Sequence, residues 1–288
     1  MINTIKTFVL LAGLTALFMG VGQWIGGSNG AIIALVIAAV MNAASYWFSD
    51  KIVLSMYRAQ EVDFSTAPGL VSLVQRLANQ AGLPMPRVYV IPSDAPNAFA
   101  TGRSPDHSAV AVTEGILQRL NEAELAGVIG HELAHIKNRD ILISSIVATF
   151  AGAISYLATM AQWAAIFGFG RSDEDDGNNV FSLLFMAILA PVIATLIQLA
   201  ISRSREFLAD RIGAEISGQP IGLANALMKL ENTHGRVSVR GTEATAHLFI
   251  VSPLSGRGLT GLFRTHPHTE DRVERLRGYA VESGLLAY

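Results

Sequence analysis

The chain has 288 residues, of which 51% are hydrophobic and only 15% charged, with 21 Lys and Arg against 23 Asp and Glu for a formal net charge of −2. That composition is too apolar for an ordinary soluble domain and points to a membrane protein, and the near-balanced charge, without a basic stripe, gives no footing for a nucleic-acid partner. The chain has no cysteine, which excludes disulfides and any Cys-ligated metal site.

Two apolar segments open the chain, residues 8–25 and 31–48, joined by an uncharged turn at 26–30. A bilayer span needs about 20 apolar residues. Lys6 precedes a long apolar run with no small-residue cleavage site, so the first segment reads as a retained anchor and not a signal peptide. Residues 68–81 predict an amphipathic helix, with Gly82 as its stop and Pro84 beyond. Arg-Val-Tyr-Val-Ile at 87–91 predicts a strand; residues 97–101 and 109–113 predict two more, joined by the turn-rich 102–106.

The next helix carries the chemistry. Asn121 is its expected N-cap, with Glu124 completing a capping box. Within it stands His131-Glu132-Leu133-Ala134-His135. Positions i and i+4 share one helix face, so both imidazoles can ligate one metal ion, and Glu132 beside them can act on a water. H-E-x-x-H on a helix is the sequence form of a zinc hydrolase. Gly127 and Gly130 weaken the helix and predict close approach of another backbone.

Two further apolar segments follow, 141–169 and 180–201, the latter with Pro191 inside it. The loop between them carries Arg171 among Asp173, Glu174, Asp175 and Asp176, whereas Lys6, Lys51, Arg58, Lys137, Arg139, Arg203, Arg205 and Arg211 flank the other ends. The excess of Lys and Arg marks the cytoplasmic side, so both termini and the His-Glu helix are expected there. The expected organisation is two transmembrane helices in 1–48, the first half of a cytoplasmic domain that carries the His-Glu helix in 49–140, two more helices in 141–201 and the second half of that domain in 202–288. Helices are expected at 221–231 and 269–279, the latter capped by Thr269, with a short strand at 247–251.

Catalytic zinc needs a third protein ligand. Glu206 and Asp210 form a second i, i+4 pair: Glu206 suits the metal, and Asp210 suits the other ring N–H of a ligating His. A salt-bridged surface with Arg203, Arg205 and Arg211 is the bland alternative. Membrane geometry favours the ligand. His135 stands about 9 Å before the third segment and Glu206 about 8 Å after the fourth, at 1.5 Å per helical residue, so continuous helices place both at one depth.

These motifs, with Asn97-Ala98-Phe99-Ala100-Thr101-Gly102 and the late His266-Pro267, resemble the HtpX family of bacterial membrane zinc metalloproteases, related to the CAAX prenyl proteases, over essentially the whole chain. The resemblance implies a mainly α membrane protein of four transmembrane helices with a cytoplasmic α+β gluzincin-type domain, one zinc ion, and a role in quality control of envelope proteins in the inner membrane. It implies that Asn97, Ala98 and Phe99 hold substrate backbone on an edge strand, and that His266 assists catalysis; Arg272 belongs to the same stretch and orients Glu206 or a substrate carbonyl. Processing of prenylated peptides is the nearest alternative. A channel or transporter is disfavoured by the absence of charge inside the third and fourth segments, and an inactive zinc scaffold leaves Glu132 without a purpose.

Overall fold

A computed structural model describes residues 2–150, 203–233, 248–250 and 267–285. The expected spans beyond residue 150, and His234, His247 and His266, lie outside the described residues. The apolar start forms α1 (Ile2–Met56), broken at Gly26 and at Gly27, whose φ of 59° with ψ of −148° suits glycine alone. The break reverses the chain. Asn42 Nδ2 donates to Thr15 Oγ1 at 2.9 Å and to the Leu11 carbonyl at 3.3 Å, and Gly22 abuts Gly30 so closely that a Cβ on either would meet the other's carbonyl. Within the described residues, Gly26–Met56, 31 residues of mean hydropathy 1.9, is long and apolar enough to cross a membrane by length and composition; Thr7–Gly20 and α5 (Ile141–Phe150) are shorter apolar helices. Ile32, Ile33, Val36 and Val40 of α1 are each 58% exposed or more.

Four strands form one mixed sheet: β1 (Gln60–Val62), β2 (Arg87–Ile91), β3 (Ala98–Ser104) and β4 (His107–Thr113), in the order β1-β2-β4-β3. β1 and β2 pair antiparallel, β2 and β4 parallel, and β3 and β4 antiparallel with Phe99 opposite Ala111. Side chains alternate between the faces. Val88, Ala98, Ala100, Val110 and Val112 join the main core with the helices. Tyr89, Ile91, Phe99, Ala109 and Ala111 face Val53 and Leu54 at the end of α1, Ala148 of α5, and Leu248.

The helices on the first face are α2 (Pro68–Ala81), α4 (Glu122–Lys137), α6 (Arg203–Ser217), α7 (Pro220–Thr233) and α8 (Thr269–Glu282), with the short α3 (Glu114–Arg119) after β4. α2 ends at Gly82 in a left-handed cap, and Asn121 and Glu124 form the expected capping box. α4 is central. Cβ atoms on Gly127 and Gly130 would lie 2.6 Å from Leu223 N and from the Gly213 carbonyl, so both glycines let α6 and α7 reach backbone contact. α5 packs Ile143, Ile146, Val147 and Phe150 against Leu10 and Leu14 of α1.

Three expectations are corrected. α4 does not run on into the third apolar segment: Asn138 caps it, Arg139 turns with φ of 56°, and a new helix starts at Ile141. The 9 Å rise along one axis therefore does not apply. Residues 248–250 are a tight turn and not a strand. The N-cap of α8 is His268, and Thr269 is its first helical residue.

Candidate metal centre

α4 and α6 pack face to face, and their buried polar side chains meet between them. His131 Nε2 and His135 Nε2 lie 3.1 Å apart. Glu206 brings Oε2 to 3.7 Å from His131 Nε2 and Oε1 to 3.8 Å from His135 Nε2. One ligand atom from each of the three residues fits within a 4.8 Å cluster. Tetrahedral zinc with bonds of 2.0–2.1 Å separates its donors by about 3.3 Å, so two ring nitrogens and a carboxylate at these spacings suit that ion. Both halves of the chain contribute, as the matched i, i+4 pairs require.

Each ring is held from behind by its own carboxylate. His131 Nδ1 lies 2.9 Å from Asp210 Oδ1. Arg272, 1% exposed, grips both Asp210 oxygens, Nε donating at 2.8 Å and Nη2 at 2.6 Å. His135 Nδ1 lies 3.2 Å from both oxygens of Asp140. Burial holds His131 below the ordinary histidine range. Burial also opposes charge on His135, but the carboxylates of Asp140, Glu206 and Glu132 outweigh it and hold the ring up to about 10. Asp210 stays below the usual carboxylate range: burial pushes it up, and Arg272 overcomes that.

Glu132 stands beside this cluster, 5% exposed, and its Oε2 accepts a hydrogen bond of 2.8 Å from the Ala100 N–H on β3. Burial pushes its carboxyl up to about 7, a value suited to exchanging protons near neutral pH. A cleft opens over these groups, lined by Phe99, Ala100, Ser144, Arg205, Phe249 and Ile250 among others.

The structure therefore brings together His131, Glu132, His135, Glu206 and Asp210. The Asn97–Phe99 segment lies alongside, with side chains turned to packing. Ala98 is wholly buried and Phe99 is 2% exposed, packed against Tyr57 with ring centroids 5.3 Å apart and the rings tilted by 48°. Asn97 clamps the cleft wall: its Oδ1 accepts from Ile250 N at 3.2 Å and its Nδ2 donates to the Leu248 carbonyl at 3.5 Å. Arg272 faces Asp210 and donates to the Ile250 carbonyl at 2.8 Å. The sequence reading missed Asp140, Ala100 and the wall at 248–250. A lone Asp before an apolar run reads as a helix cap, and nothing local says that it points backwards.

A model of peptidase family M48 matches residues 65–280. The chain is 58% identical over 283 residues to a protease HtpX homolog of Desulforapulum autotrophicum, covering 98% of this chain and 91% of that one. It is 55% identical over 282 residues to a protease HtpX homolog of Thermococcus kodakarensis, with 98% and 97% covered. A crystal structure of S. mikatae Ste24p shares the fold, with a TM-score of 0.53 at 18% identity over 95% of this chain. The chain spans 65% of that neighbour's length.

Proposed function

Because the chain belongs to peptidase family M48 and is therefore a metallopeptidase, we propose that it is a zinc-dependent endopeptidase anchored in the bacterial inner membrane, cutting misfolded or damaged membrane proteins at the cytoplasmic face. The observation that carries the zinc reading is the convergence of His131 Nε2, His135 Nε2 and the Glu206 carboxylate on one point beside Glu132. His131, His135 and Glu206 would hold the zinc ion, which when bound would supply Lewis acidity toward a scissile carbonyl and a water. Glu132 takes a proton from the attacking water and returns one to the leaving amine. Asp210 fixes the tautomer of His131, and Arg272 keeps Asp210 charged while buried. β3 is one of the two edge strands of the sheet among the described residues, the one beside Glu132, and a peptide can add to its free backbone groups near Asn97, Ala98 and Phe99.

The membrane reading keeps four spans, at 8–25, 31–48, 141–169 and 180–201, with 49–140 and 202–288 forming one cytoplasmic domain and both termini cytoplasmic. It is supported by the exposed apolar face of α1, by the packing of α5 on α1, and by the Lys and Arg placement. The role assigned to His266 stands as part of the same proposal, acting on the developing oxyanion.

The deciding experiment compares purified wild type with Glu132→Gln for zinc content and for cleavage of an unfolded polypeptide. The expected result is equal zinc and lost cleavage. Full cleavage by Glu132→Gln removes this mechanism.

A further inference from the structure

We propose that Asp140 is a positioning residue for the metal centre, holding the His135 ring by Nδ1 so that Nε2 faces the point shared with His131 and Glu206. The inference rests on the zinc reading above and extends it to a residue outside the motif. Asp140 immediately precedes α5, the position of a helix N-cap. Its backbone carbonyl does open that helix, accepting from Ser144 N at 3.4 Å. A capping Asp also turns its carboxylate onto the amides of the first turn. Here both carboxylate oxygens lie 3.2 Å from His135 Nδ1, and among the described residues no amide of α5 takes either.

Burial makes the arrangement informative. Asp140 is 3% exposed, and its one ion-pair partner among the described residues is His135. A buried carboxylate is costly unless it is paired and hydrogen-bonded, so the ring N–H is what compensates it. Asp210 stands in the corresponding place behind His131, 2.9 Å from its Nδ1, but with Arg272 behind it. A carboxylate on each Nδ1 keeps the proton there and leaves each Nε2 lone pair for a cation. The backbone is shaped to this end. Arg139 adopts a φ of 56°, uncommon for a residue with a side chain, and the turn brings Asp140 N back to the His135 carbonyl at 3.3 Å.

The same helix reaches the edge strand. Ser145 Oγ lies 2.7 Å from Thr101 Oγ1 and accepts from Gly102 N at 3.3 Å. The first turns of α5 thus brace His135 at one point and β3 at the next.

The test measures zinc affinity of the purified full-length protein by chelator competition, with the melting temperature of the metal-free protein alongside. Asp140→Ala should weaken zinc about 10–100-fold. Asp140→Asn keeps the shape and an acceptor oxygen but loses the charge; it should fall between, several-fold weaker than wild type, with an unchanged metal-free melting temperature. An Asp140→Asn protein that binds zinc within about twofold of wild type overturns the proposal, even where Asp140→Ala fails to fold. Wild type that binds no zinc removes the underlying metal reading instead, so the two failures are distinct.

Discussion

Gly213 on α6 lies against the backbone of His131 on α4: a Cβ at Gly213 would stand 2.6 Å from both the N and the Cα of His131. The distance from Glu206 to the two rings is therefore set by contact of one helix backbone on another. Gly213→Ala should lower stability by about 1–3 kcal/mol through overpacking, although alanine is favoured over glycine in a helix by about 1 kcal/mol. A thermal melt decides; a midpoint at or above wild type would show that α6 can move aside.

Glu132→Gln should leave zinc stoichiometry unchanged while slowing peptide hydrolysis by about 10²–10⁴-fold. Elemental analysis and a cleavage assay on one preparation measure both. Loss of zinc together with activity would make Glu132 a structural residue and not a proton carrier.

Glu206→Ala should reduce bound zinc, and a chelator should abolish wild-type cleavage, with zinc restoring it. Unchanged stoichiometry in Glu206→Ala would move the third ligand to another residue.

Arg272→Ala leaves Asp210 buried and charged without its guanidinium, with only the His131 ring beside it. Breaking such a pair by removing one partner costs about 3–5 kcal/mol. Arg272→Lys should recover only part of this, because a single ammonium cannot reproduce the two-pronged grip on both Asp210 oxygens. Equal melting points for the Lys variant and wild type would count against that geometry.

Asp63 accepts hydrogen bonds from Ser65 Oγ at 2.6 Å and from the amides of Ser65 and Thr66 at 2.9 and 3.0 Å, in the turn before α2. These bonds, those from the side chains foremost, lower its carboxyl to about 2 from an ordinary 3.8. A carboxyl depressed in the folded state stabilises above its unfolded value and loses that contribution as pH falls through the folded one. The melting-point difference between wild type and Asp63→Ala should thus be full above pH 4 and shrink towards pH 2. A difference that does not change over that range would remove ionisation as the cause.

The local elements were legible in the sequence because their signals are local. The capping box at Asn121 and Glu124, the stop at Gly82 and the strand at 87–91 each rest on residues a few positions apart, and all are present in the structure. His131, Glu132 and His135 were legible for the same reason, since one helical turn sets their relation. Glu206 could be reached only by pairing two i, i+4 patterns across an apolar gap. The direction of a buried carboxylate was beyond that reach. Asp140 reads as a cap and Asn97 as a strand residue until the break at Arg139 and the wall at 248–250 are seen, because burial decides which partner a polar group must take. Sequence alone determined the chemistry of the centre, through residue types held at helical spacing. Tertiary packing decided its architecture, with glycine contacts bringing α6 to α4 and a carboxylate placed behind each ring.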